Sequence, residues 1–236
     1  PWLPGTVVVI ADLLTTDGAP VDVSPRQMLR RQLERAAERG LRVCSATELE
    51  FFLFRDSYEE ASEKEWRELT PHASTIEDYQ LLQTSREEYV LRRIRNEMLA
   101  ADIPVEFSKG EAGRGQHEVN VTYDEALVTA DRHLVFKNGI KEIAAQEGRA
   151  ATFMAKWTMA DVGSSCHVHT SLWDAASGDP LMADPSHPSG LSTVGRRFLA
   201  GQIYAARELA WCAAPTLNSY RRYVPGSWAP TAAVWG

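Results

Sequence analysis

The run IPVEFSKGEAGRGQHEVNVTY, residues 103–123, decides the architecture. Its flanks alternate apolar and polar side chains, and the glycines between them mark a turn. Residues 103–111 and 116–123 are therefore expected to pair as an antiparallel hairpin. Outward from it, LRVCSATELEFFLF (41–54) reads as a long strand, with Glu48 and Glu50 on one face and Leu49, Phe51 and Leu53 on the other. TVVVIADLLT (6–15) reads as a buried strand running into a turn. In SPRQMLRRQLERAAERG, Ser24 as N-cap, Pro25 at the first helical position and Gly40 past the end signal a helix. Residues 56–84 are polar and weakly patterned, a loop with a short helix, and Ser85 and Glu88 have capping-box spacing at the start of the next helix.

Downstream, DRHLVFKNGIKEIAAQEG predicts a helix with Asp131 as cap and Gly148 as stop. RAATFMAKWT (149–158) and GSSCHVHTSLWD (163–174) read as strands, a looser Gly- and Pro-bearing segment spans about 174–191, and a helix covers 192–212. NSYRRYVPGSWAP reads as an irregular loop. Hairpins mixed with helices predict an α+β fold on a largely antiparallel sheet rather than a doubly wound one.

The 236 residues are 44% apolar and 24% charged, an ordinary globular composition. A net charge of -7 argues against nucleic acid or an anionic membrane surface as the main partner. No apolar run approaches the roughly 20 residues that span a bilayer. The three cysteines, Cys44, Cys166 and Cys212, lack C-x-x-C spacing and suggest a reducing compartment, so a cytoplasmic location is expected. The chain opens PWLPGT and stops at AAVWG, which read as mid-sequence, so flanking segments are expected at both ends.

Glu48 and Glu50 side by side on a strand repel each other unless a cation or proton stands between them, although a solvated face would explain one of them. Glu111 and Glu118 flank the hairpin turn and can converge there, although hairpin ends are commonly charged. His167, His169 and Ser171 share one strand face, which a half-exposed strand would also allow. The GRG within the turn is too short for a phosphate loop. Several carboxylates with few nitrogens suit Mg²⁺ or Mn²⁺ better than structural zinc, and such ions usually work with phosphates. A cupin-like H-x-H site would want a glutamate soon after the second histidine, and Thr170–Asp174 hold none. Arg221 and Arg222 in the last loop can clamp a carboxylate bidentately, or lie solvated on the surface.

ELEFFLF, VEFSKGEAGRGQHEVN, ATFMAKW, GSSCHVHTSL and NSYRRYVPGSWAP, in this order, resemble the catalytic domain of the glutamine synthetase family. The resemblance implies a curved antiparallel sheet flanked by helices, with two divalent metals between glutamate and ATP. It also implies a two-step reaction: the γ-carboxylate of glutamate attacks the terminal phosphate of ATP, and an amine then displaces phosphate from the γ-glutamyl phosphate. By motif, Glu50, Glu111 and Glu118 resemble ligands of the metal nearer the substrates, and Glu48 and His167 those of the metal on the nucleotide phosphates. His169 and Ser171 match positions near phosphates and nucleotide, and Glu106 matches a nucleotide contact. Gly163 matches a backbone contact to glutamate and Arg222 the arginine holding its carboxylate, so Arg222 and Glu111 are the expected catalytic pair. Residues 1–236 then form one incomplete catalytic domain, with a small N-terminal domain before Pro1 and further arginines and a glutamate ligand after Gly236. Such a chain is expected to be weak or inactive alone and to work in a homo-oligomer with active sites between neighbours.

Three departures from the family pattern bear on the substrate. GSWAP stands where glutamine synthetases proper carry GYEAP, placing Trp228 where a glutamate helps bind and deprotonate ammonium. VGSS replaces NGSG, so Val162 stands for an asparagine, and SKGE lacks the histidines that commonly precede its glutamate. Losing an anion and gaining an indole favours an alkylated amine over a small cation. The expectation is a γ-glutamyl–amine ligase. A glutamate–ammonia ligase and a non-catalytic family member remain the alternatives.

Overall fold

A computed structural model of the chain describes residues 1–224 and 227–229. Helix α1 (Pro25–Ala37) begins just after Ser24 with Pro25 in its first turn, and the chain turns at Gly40, whose φ of +70° lies in the left-handed region. It delivers β1 (Leu41–Phe54), the strand around which the sheet is organised. α2 (Tyr58–Glu63) and α3 (Leu81–Ala100) follow, then the hairpin of β2 (Val105–Gly110) and β3 (Gln116–Val121). The short β4 (Asp124–Glu125) leads into α4 (Ala126–Gln146), and β5 (Ala150–Thr152) and β6 (Cys166–Asp174) complete a 6-stranded sheet. α5 (Thr193–Tyr204), α6 (Ala206–Ala213) and the short α7 (Leu217–Tyr220) close the described chain.

Every strand pairing is antiparallel, and β1 pairs with β3, β4, β5 and β6. Glu48 and Leu49 pair with β3 and with β6 at once, so those two strands flank β1 on opposite sides. This is the α+β fold on an antiparallel sheet that the hairpin motif predicts.

Alternation along β1 sorts its side chains onto two faces. Leu49, Phe51 and Leu53 meet Val90, Leu91, Ile94 and Met98 of α3 and Phe136, Ile140 and Ile143 of α4 in the main core. The helical spacing of those residues makes one apolar stripe per helix, so both helices lie on this face of the sheet. Each buried Leu, Ile or Phe contributes about 1.5–3 kcal/mol relative to exposure. On the opposite face Phe52 and Phe54 form a smaller cluster with Ala61 and Ala150, packed by Trp157 and Val162. Glu48 and Glu50 precede them on that same face.

Five expected elements differ. Residues 6–15 form no strand; Val7, Val8 and Val9 are exposed, and the only pairing among the described residues is the isolated bridge of Leu14 with Pro20. A β-prone row becomes a strand only against a partner, and none of the described strands lies beside it. α3 starts at Leu81 rather than at Ser85, whose hydroxyl donates to the Leu81 carbonyl from inside the helix. α4 starts at Ala126, so Asp131 does not cap it; its carboxylate accepts Nε and Nη2 of Arg26 at 2.9 Å each. The strand expected over 149–158 is confined to Ala150–Thr152, and the helix expected over 192–212 breaks at Ala205 into α5 and α6. Pro225, Gly226 and Pro230 of the last motif lie outside the described residues. No helix among the described residues is long and apolar enough to cross a membrane, and Cys44, Cys166 and Cys212 are free thiols.

Candidate active site

The register of β1 assembles the site. Glu50 lies opposite Glu118 of β3, and Glu48 lies opposite His167 of β6. Directly opposed antiparallel residues share a face, so these four side chains gather on the side of the sheet away from α3 and α4. The hairpin turn brings in Glu111 just past β2. Donor atoms of Glu50, Glu111 and Glu118 lie within 4.8 Å of one another, as do those of Glu48, Glu118 and His167. Glu118 belongs to both groups. The two histidines of β6 converge on one carboxylate: His167 Nδ1 is 2.9 Å from Glu48 Oε2, and His169 Nε2 is 3.0 Å from Glu48 Oε1.

Negative charge is in excess here. Burial pushes the Glu118 carboxyl above its ordinary range; Asn120 and Lys109 oppose the shift, while Glu111 and Glu48 add to it. Burial also disfavours the Lys109 ammonium, but its ion pair with Glu111 outweighs that and holds it protonated. Among the described residues, Lys109 is the one Lys or Arg side chain ion-paired to any of the four site glutamates. Four carboxylates against a single ammonium, with nearly all donors oxygen, fit hard divalent cations, and the two groups provide two places for them.

A cavity flanks the donors on each side. The first, ≈ 380 Å³, is lined by Glu48, Glu106, Asn120, Tyr123, His169 and Ser171. Glu106 sits where the β2–β3 register shifts between Val105 and Phe107, a bulge that re-aims its side chain. Ser171 accepts a hydrogen bond from Trp173 Nε1 at 2.9 Å, and the Trp173 ring stacks on Tyr123 at 5.9 Å. The second cavity, ≈ 990 Å³, is lined by Glu50, Ser165, His167, Arg222 and Trp228. Arg222 Nη1 donates to the Ser164 carbonyl at 3.0 Å. A Cβ at Gly163 would stand 2.4 Å from the Ala155 carbonyl oxygen and 2.8 Å from Arg222 Nε, so only glycine allows this approach. Trp228 is 92% exposed at the rim.

Two residues escape the sequence reading. Gln116 is buried, and its amide donates to Glu50 Oε2 at 3.1 Å and to the Gly163 carbonyl at 3.0 Å, tying the hairpin turn to β1 and to the segment before β6. Its place on the Glu118 face of β3 is the signal that could have exposed it. Ser165 donates both its backbone N–H, at 2.9 Å, and its hydroxyl to Glu50. It belongs to the divergent VGSS segment, whose Val162 instead packs against the Phe52–Phe54 cluster.

The chain matches the family model described as glutamine synthetase, catalytic domain, over residues 22–236. It is 53% identical over its full length to a γ-glutamylethanolamide synthetase of Streptomyces coelicolor, covering 50% of that protein. It is 42% identical over its full length to a glutamate–isopropylamine ligase of a Pseudomonas species, covering 51% of it. The chain thus spans about half the length of the curated relatives it matches. A solved GmaS–ADP complex superposes with a TM-score of 0.78 at 34% identity, covering 91% of this chain and 47% of that one. The matched region takes in β1, the hairpin and β6, the three elements that carry the donors of these two groups, and on that footing the chain belongs to the glutamine synthetase family through its catalytic domain.

Proposed function

We propose that the protein is an ATP-dependent ligase that joins the γ-carboxylate of L-glutamate to an organic amine, with ammonia as the competing acceptor. The observation that carries this reading is Glu118, shared by two donor groups with a cavity on either side. A nucleotide in the first cavity and an amino acid in the second would meet at that carboxylate. The names of the two relatives, one an ethanolamide synthetase and one an isopropylamine ligase, support an organic acceptor, and the ADP of the solved neighbour supports the nucleotide.

In this reading Glu50, Glu111 and Glu118 hold one Mg²⁺ or Mn²⁺, and Glu48, Glu118 and His167 hold the other. Bound there, such ions neutralise the charge on the transferred phosphoryl oxygens. His169, Ser171 and Glu106 contact the nucleotide. Arg222 clamps the α-carboxylate of glutamate and the Gly163 backbone orients it, which aligns the γ-carboxylate with the terminal phosphorus and removes much of the entropic barrier. Attack breaks the bond from that phosphorus to the bridging oxygen and releases ADP. The amine nitrogen then attacks the acyl carbon, phosphate leaves, and the amine gives up a proton. The Trp228 face receives the alkyl part of the acceptor through its π-surface. A cytoplasmic homo-oligomer with sites completed between neighbours belongs to the same reading.

The test is phosphate release from ATP in the presence of glutamate, Mg²⁺ or Mn²⁺, and acceptors from ammonia to methylamine, ethanolamine and polyamines. Turnover with an organic amine above ammonia is the expected result. Preference for ammonia makes this a glutamate–ammonia ligase, and silence with every acceptor makes it a non-catalytic member. Trp228→Glu is expected to move the ratio of kcat/KM values toward ammonia by about 10- to 100-fold. Gly163→Ala, which would drive a Cβ against the Ala155 carbonyl oxygen and Arg222, is expected to raise KM for glutamate by about 10-fold or more and to lower the melting temperature as the backbone shifts. An unchanged KM would remove Arg222 from the substrate's carboxylate.

A further inference from the structure

Behind the candidate site, on the helix side of the sheet, lies a third cluster of side chains of metal-ligating type. Glu77 comes from the segment before α3, Glu87 from α3 itself, and His117 from β3, where it alternates with Glu118 and so points the opposite way. All three are sealed from solvent, at 0%, 1% and 0% exposure. Their donor atoms lie within 4.8 Å of one another, His117 Nε2 being 3.8 Å from Glu77 Oε2 and in direct contact with Glu87 Oε2.

We propose that Glu77, Glu87 and His117 form a buried site for a first-row transition-metal ion of the zinc class, separate from the carboxylate face that serves the reaction. Among the described residues, neither carboxylate oxygen of Glu77 has a hydrogen-bond partner, and His117 Nδ1 lacks one as well. Buried polar atoms are almost always paired, and a wholly enclosed carboxylate without a donor is a costly arrangement that a bound cation repairs. The donor set identifies the class of ion. One imidazole and two carboxylates in a closed pocket match the small, low-coordinate shell of zinc, whereas Mg²⁺ asks for about six oxygen ligands and keeps several waters. Two carboxylates also cancel a double positive charge, leaving the core neutral. Ligands about 2.0–2.2 Å from such an ion stand about 3.3–3.6 Å apart, so Glu77 and His117 draw together from 3.8 Å while the direct His117–Glu87 contact opens to admit the ion.

The surroundings are arranged for it. Gly110 of β2 is the cross-strand partner of His117, and a Cβ there would stand 2.6 Å from the Cβ of Glu77. The missing side chain at 110 is the space in which Glu77 lies beside the imidazole. The second oxygen of Glu87 is 2.6 Å from His72 Nδ1, whose Nε2 is 3.3 Å from the Tyr89 hydroxyl, and Arg149 Nε donates to that hydroxyl at 3.1 Å. Outer contacts of this kind fix a ligating carboxylate in place. An ion here would pin the hairpin carrying Glu111 and Glu118 to α3.

The test counts metal rather than turnover, so its outcome does not depend on the proposed reaction. Glu48→Gln/Glu50→Gln protein, with the front face weakened, is loaded with Zn²⁺, passed through gel filtration in excess Mg²⁺, and analysed for zinc by mass spectrometry. Adding Glu77→Gln is expected to lower retained zinc by about one ion per chain and to abolish the zinc-dependent rise in melting temperature. Co²⁺ should give a visible absorption band of low-coordinate geometry that disappears with the same substitution. Circular dichroism confirms that each variant is folded, and His117→Gln makes the same comparison if Glu77→Gln is not. Zinc content that neither substitution changes, or the absence of retained zinc before either is made, overturns the proposal.

Discussion

Glu118→Gln is expected to abolish divalent-cation-dependent phosphate release while making the metal-free protein more stable near neutral pH. Activity should fall because Glu118 is the one carboxylate common to both donor groups. Loss of an outer-shell partner alone typically costs 10–100-fold, so loss of a shared ligand should exceed about 100-fold in kcat/KM. Stability should move the other way. Burial raises this carboxyl in the folded state, with Glu111 and Glu48 adding to the shift. Its contribution to stability is therefore fully present below its unfolded value and is lost as pH rises through the raised folded value. A neutral amide of the same shape removes that loss and can still accept the Asn120 amide, which donates to Glu118 Oε1 at 3.2 Å. Cations reverse the balance in the wild type, and their affinity should weaken as pH falls through the raised value, because the ion must displace the proton. Melting curves at pH 5 and 7, with and without Mn²⁺, together with the activity assay, check both halves. Activity within a few-fold of wild type would remove Glu118 from the metal-binding role.

Phe51→Ala is expected to destabilise the fold by about 3–5 kcal/mol. The ring is wholly buried between the sheet and its helices, 5.5 Å from Phe153 and 5.8 Å from His117. It lies on the strand to which four others pair, so the cavity cannot collapse without moving the sheet. For a domain of this size the cost corresponds to a fall in melting temperature of about 10 °C. Because Glu50 precedes it on the same strand, the variant should also bind metal more weakly at temperatures where it remains folded. Calorimetry with a parallel metal titration tests both. A fall of only a degree or two would mean that the core repacks around the gap.

The parts of the fold legible in the sequence are those written in local pattern. The hairpin, β1 and α1 follow from alternation, from Pro25 and Gly40, and from the turn glycines. The misplaced boundaries have long-range causes. Asp131 has the composition of a cap, yet its carboxylate is held by Arg26, which no local window can reveal. Ser85 prefers the carbonyl one turn back, and the apolar row at residues 7–9 lacks a partner strand among those described. The site was more legible than the fold around it, since carboxylates on alternate positions of β1, about the hairpin turn and opposite two histidines needed only antiparallel pairing to converge. The sharing of Glu118 was not legible, because it depends on β3 and β6 lying on opposite sides of β1. Neither was the Glu77–Glu87–His117 group, whose members are spread over three elements and match no spacing rule.

The alternation on β1 also guards the assembly of the sheet. Sliding this strand by one residue against its neighbours would turn Glu48 and Glu50 into the apolar layer and expel Leu49, Phe51 and Leu53 toward water. The carboxylate pair would then lie in the apolar layer between the sheet and its helices, while Phe51 lost its packing. A near-miss alignment is thus penalised from both sides. The carboxylates of the candidate site therefore disfavour a mis-registered sheet, and replacing them with apolar residues should allow such sheets to persist.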